Sequence, residues 1–155
     1  IPEKGLSRKS KIVLIGYGGA AKAVLYALSI MGLESVVVFN RTNKKIDNKN
    51  ILQPTTLPLE KISKHIDDAE LIINTIPGNI FKNMKIEKIE RKMYVCDIVY
   101  QPKHTKFLNH FINPKKIIYG ISMLINQAIP CFDQWFGFIP SADDDLFNEI
   151  LKKIS

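Results

Sequence analysis

The 155-residue chain has only two cysteines, one tryptophan and three histidines, and no apolar run of membrane-spanning length. Crossing a bilayer takes roughly 20 consecutive apolar residues, so a membrane role is not expected. Cys96 and Cys131 stand alone, without C-x-x-C or metal-ligand spacing, which excludes a disulfide framework and a zinc site as organising principles. Both lie in apolar surroundings and read as buried, reduced thiols, consistent with a cytoplasmic home. The N-terminal IPEKGLSRKSK lacks the apolar core of a secretory signal. Acidic residues are also short, 15 Asp and Glu against 22 Lys and Arg, for a formal charge of +7. Nucleic acid is not the expected partner: Asp47, Glu87 and Glu90 break up the lysines, and no basic run is interleaved with aromatics. Such a surface suits small anionic ligands. With 46% hydrophobic and 24% charged residues the composition is that of an ordinary globular chain, long enough for one cored domain.

What is present is a strand joined to a helix by a glycine turn, KIVLIGYGGAAKAVLYAL from Lys11 to Leu28. Ile12–Ile15 reads as a buried parallel strand, and Ala23, Val24, Ala27, Leu28 and Met31 recur at helical spacing. Between them Gly16 and Gly18, with Ala21 third, fit the dinucleotide fingerprint G-x-G-x-x-G/A. The first glycine permits the turn, the second lets backbone approach a diphosphate, and the third small residue lets helix and strand pack closely. The helix start then offers unpaired N–H groups and a positive dipole end to phosphate oxygens.

A further absence bears on the cofactor. The second strand, Ser35–Phe39, closes on Asn40-Arg41-Thr42 with no Asp or Glu at its tip. An NAD site usually places a carboxylate there, about 20 residues past the glycines, to bond the ribose 2′-hydroxyl. A carboxylate would repel a 2′-phosphate, whereas Arg41 can bond one bidentately and lay its plane on adenine. With Lys44 and Lys45 following, the charge inventory favours NADP over NAD.

The remaining chain alternates strand and helix signals, the pattern of an α/β, Rossmann-type doubly wound parallel sheet with helices on both faces. A third strand is expected around Asn50–Leu52 and a short helix over Leu59–His65. Strands follow at Ala69–Asn74, Lys92–Asp97 and Lys116–Tyr119, with a short helix near Thr105–Asn109. Ligands of open α/β sheets bind beyond the strand carboxyl ends, so Asn40–Thr42, Asn74–Thr75, Asp97 and Gly120 are expected along one edge. After Gly120 a helix begins, with Met123 and Gln127 on one face and Pro130 a candidate kink or new turn. Phe132, Trp135 and Phe136, at helical spacing, read as core. Asp143–Asp145 precede an amphipathic C-terminal helix and read as capping, not as metal ligands.

Taken together, IGYGGAAKAV, the NRT at Asn40–Thr42, NTIPG at Asn74–Gly78, DIVYQPKHTKFL from Asp97 and GISMLINQAIPCFDQWFG from Gly120 resemble the shikimate dehydrogenase family, in its order and spacing. The resemblance covers nearly the whole chain but only the cofactor-binding, C-terminal part of that enzyme. It implies reversible reduction of 3-dehydroshikimate to shikimate by NADPH, on the route to chorismate and the aromatic amino acids. It implies a diphosphate loop of Gly16, Tyr17, Gly18, Gly19 and Ala20, and a 2′-phosphate end formed by Asn40, Arg41, Thr42, Asn43, Lys44 and Lys45. Thr75 and Ile76 would border the ribose and nicotinamide side, and Ile98, Gly120 and Met123 would touch the nicotinamide. Tyr100 and Gln127 match two contacts to the small-molecule substrate. Tyr17 departs from the small residue usual in the family.

The same resemblance implies that residues 1–155 form a single NADP-binding domain, with 1–10 the remnant of an interdomain connection and 121–155 the C-terminal helices. The N-terminal half, which in the family carries the catalytic lysine and aspartate, has no counterpart, so no catalytic residue and no metal ligand is assigned. The isolated chain is expected to bind cofactor without turnover. A free-standing NADP-binding redox or interaction module, or a quinate-using relative, are the alternative readings.

Overall fold

A computed structural model describes residues 5–42, 52, 54–78, 80–81 and 86–154. In chain order the elements are β1 (Ile12–Ile15), α1 (Gly19–Ile30), β2 (Val36–Asn40), β3 (Thr55–Pro58), a 3-10 turn (Leu59–Lys61), α2 (Ser63–Ile66), β4 (Leu71–Asn74) and β5 (Ile89–Glu90). There follow β6 (Tyr94–Asp97), a second 3-10 turn (Leu108–His110), β7 (Phe111–Ile112), β8 (Lys116–Tyr119), α3 (Gly120–Phe136) and α4 (Asp144–Ile154).

Runs such as Ile12-Val13-Leu14-Ile15 have no polar face, because both sides of a parallel strand are covered. Ile12 and Leu14 face one layer, with Ala21, Leu25 and Leu28 of α1 against them. Val13 and Ile15 face the other, with Ile62, Ile66, Phe81 and Phe107. The six-stranded sheet runs β3-β2-β1-β4-β6-β8, every pair parallel, and β5 and β7 form a separate two-residue pair. Strand order reverses between β1 and β4, where a ligand crevice opens in such sheets. Register sets the crevice rim: Ile15 lies opposite Phe39 and Asn74, Asn74 opposite Asp97, and Asp97 opposite Tyr119.

Several expectations are corrected. The third strand is Thr55–Pro58, not Asn50–Leu52; Leu52 is irregular, and Asn50 and Ile51 lie outside the described residues. Its sequence lacks an apolar run because it is an edge strand, where one face of backbone hydrogen bonding is free and Pro58 is tolerated. Helix α3 continues through Pro130 without starting a new turn. Neither thiol is fully buried, although Cys96 packs against the core on the α1 side of the sheet. Helix α4 is capped as expected, the Leu146 N–H donating to Asp143 Oδ1 at 2.9 Å. Among the described residues no helix is long and apolar enough to cross a membrane.

Candidate functional site

The glycine turn sits where β1 meets its neighbours. Gly16 adopts φ +97°, a conformation that L side chains rarely take. A Cβ there would lie 2.5 Å from Thr75 Oγ1 and 2.7 Å from Ile76 Cγ1. The Gly16 N–H donates to the Phe39 carbonyl at 2.8 Å, while the Thr75 N–H and hydroxyl donate to the Ile15 carbonyl at 2.9 and 2.6 Å. So three strand ends are tied into one rigid rim. Beyond it the picture inverts: Cβ atoms built on Gly18 and Gly19 would meet nothing within 4 Å. Helix α1 starts there with no side-chain cap and no acidic residue in its first turn. An anion can therefore reach the helix N-terminus directly, which fits a dinucleotide diphosphate. Tyr17 leaves that space clear; its ring packs against the α1-side core with the Lys22 ammonium 5.7 Å from its centroid.

At the tip of β2, Asn40 Nδ2 donates to the Thr42 carbonyl at 3.0 Å and to its hydroxyl at 3.3 Å, curling the chain after the strand. Arg41 and Thr42 are exposed, and among the described residues Arg41 enters no ion pair. Asn43, Lys44 and Lys45 lie outside the described residues.

The next tips carry the polar interior. Asn74 is 1% exposed and Asp97 fully buried. Asn74 Oδ1 accepts the Ile76 N–H at 3.1 Å, and its amide donates to the Ile76 carbonyl at 2.9 Å and to Asp97 Oδ1 at 3.0 Å. Asp97 also accepts from the Val99 N–H at 3.1 Å and from Thr105 Oγ1 at 2.5 Å. Burial raises its carboxyl above the ordinary range, and the donors from Thr105, Val99 and Asn74 pull it part of the way back. Beside it, burial pushes the Cys96 thiol up to about 12. The Asp97–Thr105 bond escapes sequence reading. Its only signal is an Asp ending an apolar strand with a Thr eight residues on.

Gly120 is brought hard against Ile98, where a Cβ would lie 2.2 Å from the Ile98 carbonyl oxygen. Met123 and Tyr100 are each 40% exposed, open to a ligand. Gln127, also exposed, lies one turn beyond Met123 but lines a groove of about 680 Å³ between α3 and α4. The aromatics of α3 overturn the core reading: Trp135 is 72% exposed and Phe136 63%, with Phe132 and Phe138 also exposed. Helical spacing puts them on one face, but α4 covers that face only in part, leaving the groove open beside them.

A family model described as Shikimate / quinate 5-dehydrogenase matches residues 3–105. The "Shikimate dehydrogenase (NADP(+))" of Bartonella quintana (strain Toulouse) is 32% identical over 90% of this chain and 52% of its own length. That of Caldicellulosiruptor saccharolyticus is 33% identical over 99% of this chain and 59% of its own. Among solved structures, a chorismate mutase/shikimate 5-dehydrogenase fusion protein from Clostridium acetobutylicum superposes with a TM-score of 0.69 at 25% identity, over 94% of this chain and 55% of that one. The chain spans about half the length of the curated relatives it matches.

Proposed function

Because the chain belongs to the shikimate/quinate 5-dehydrogenase family, we propose that it is the NADP(H)-binding half of an enzyme that reversibly reduces 3-dehydroshikimate to shikimate. The observation that carries the cofactor assignment is the tip of β2, where Arg41 is exposed, without an ion-pair partner among the described residues, and where no carboxylate stands. A guanidinium so placed favours the doubly charged 2′-phosphate that a carboxylate would repel. NADPH supplies the hydride that adds to the substrate ketone carbon, and a proton must reach the oxygen.

Within this chain, the Gly18–Gly19 backbone and the start of α1 receive the diphosphate. Asn40, Arg41 and Thr42, with Asn43, Lys44 and Lys45, hold the adenosine 2′-phosphate. Thr75 and Ile76 border the ribose, and Ile98, Gly120 and Met123 form the nicotinamide wall. Tyr100 and Gln127 reach toward the substrate from this side. No residue here is assigned to the proton, because the catalytic lysine and aspartate of the family belong to its other half. The exposed aromatic face of α3, beside a groove open to solvent, supports a second domain seated on this one.

The test is a paired titration of NADP and NAD against the wild type and Arg41→Ala. NADP should bind more tightly, and the substitution should weaken NADP by roughly 1–3 kcal/mol while leaving NAD little changed. Equal binding of the two nucleotides would remove the assignment. The isolated chain should show negligible shikimate oxidation, and robust turnover would contradict the two-half reading.

A further inference from the structure

Asp97 receives hydrogen bonds from three separate places: Asn74 at the end of β4, Val99 just past β6, and Thr105 at the far end of the following loop. Asn74 in turn holds both backbone polar groups of Ile76. Ile76 packs where a Gly16 Cβ would go, so this end of the network sets the wall of the glycine turn. The opposite end clamps Val99 and Thr105, the two sides of the loop that carries Tyr100. Thr105 Oγ1 also accepts the Leu108 N–H at 3.3 Å, anchoring the loop exit. A cavity of about 470 Å³ opens between Gly78, on the β4 side, and Val99, Gln101 and Thr105. Lys103 and His104 of the loop lie against the Tyr119 ring of β8, and the Asp97 carboxylate ties the loop's two sides to β4.

A buried carboxylate is a costly way to join two strand ends, since an apolar pair of similar volume would avoid the desolvation. Departures of this kind from local rules concentrate at functional sites. We propose that Asp97 is a positioning residue that links the nucleotide-binding turn to the Tyr100 loop, so that filling the cofactor side orders the substrate contact. This rests on the NADP reading above and adds a dependence between its two sides. The link is geometric: displacement of Ile76 moves Asn74, and Asn74 has its remaining N–H on Asp97.

The experiment follows backbone amide signals of the isotopically labelled 155-residue chain during NADP titration. The readout is the shift at Tyr100 relative to that at Gly18 at saturation. In the wild type both signals, with Ile76, should move along one binding curve. Thr105→Val removes the hydroxyl and should cut the Tyr100-to-Gly18 ratio to below half, and Thr105→Ser should restore it. Asn74→Ser, which breaks the network from the other end, should lower the ratio in the same way and decides the matter should Thr105→Val fail to fold. A purely structural role would lower the melting temperature of these variants and leave the ratio at its wild-type value, which overturns the proposal. A wild type in which Gly18 and Ile76 respond while Tyr100 is silent overturns it too, with NADP binding intact. No response at Gly18 would overturn the NADP reading and the link together.

Discussion

The carboxyl edge of the sheet and the α3–α4 pair break the inside-apolar, outside-polar rule in opposite directions. At the sheet edge, polar side chains lie inside: Asn74, Asp97 and Thr105 are buried and each has its partners within the chain. At the helical pair, apolar side chains lie outside: Trp135, Phe136, Phe138 and Ile139 are exposed, with aromatic neighbours touching one another, as Phe132 and Phe136 do at 5.3 Å between ring centroids. The first departure is closed, because the side-chain donors of Asn74 and Thr105 all find acceptors. The second is open-ended, because rings gathered at the surface gain little until something covers them. The satisfied exception is closed within the chain; the unsatisfied one leaves apolar surface in water.

Substitutions can break that contrast, beginning with the tightest part of the edge. Gly120→Ala would drive a Cβ to 2.2 Å from the Ile98 carbonyl oxygen and 2.4 Å from its carbon, both backbone atoms that cannot swing aside. A loss of about 3 kcal/mol is expected in denaturant unfolding, along with weakened NADP binding. Gly16→Ala combines a positive φ with a 2.5 Å approach to Thr75 Oγ1, a side chain that can rotate, so roughly 2 kcal/mol is expected by the same measurement. An unchanged midpoint in either variant would mean that the rim is not rigid.

Acid titration sharpens the comparison further. The Asp97 carboxyl is raised in the folded protein, so between its unfolded and folded values the native state binds the extra proton. Its contribution to stability is therefore fullest below the ordinary carboxylate range and is lost as pH rises through the folded value. Asp97→Asn should flatten this part of the profile of melting temperature against pH. A profile that steepens instead would show hydrogen bonding outweighing burial. The smallest effect belongs to the helical face: Trp135→Ser should change stability by less than about 0.5 kcal/mol while raising solubility. A loss of 2 kcal/mol there would place the ring in a packed interior and erase the contrast.

Legibility followed the range of the interactions. The turn from Ile15 through Gly18 into α1, and the strand Lys116–Tyr119, rest on residues adjacent in sequence, and both were readable. Thr55–Pro58 was not, since an edge strand is recruited by pairing with Val37–Asn40 and carries no apolar run of its own. Asn74 was legible as a polar strand tip on the ligand edge; its bond to Asp97, 23 residues away, depends on β4 and β6 lying side by side.

The sequence by itself determined the α/β alternation, the glycine turn and a positive charge at the tip of the second strand, because period, backbone freedom and charge are local properties. Tertiary structure alone decided which aromatic residues would be covered and which buried acid would tie two loops together. Whether a face is buried depends on what packs against it, and a hydrogen bond across strands depends on register. Neither is written in the spacing of the residues that take part.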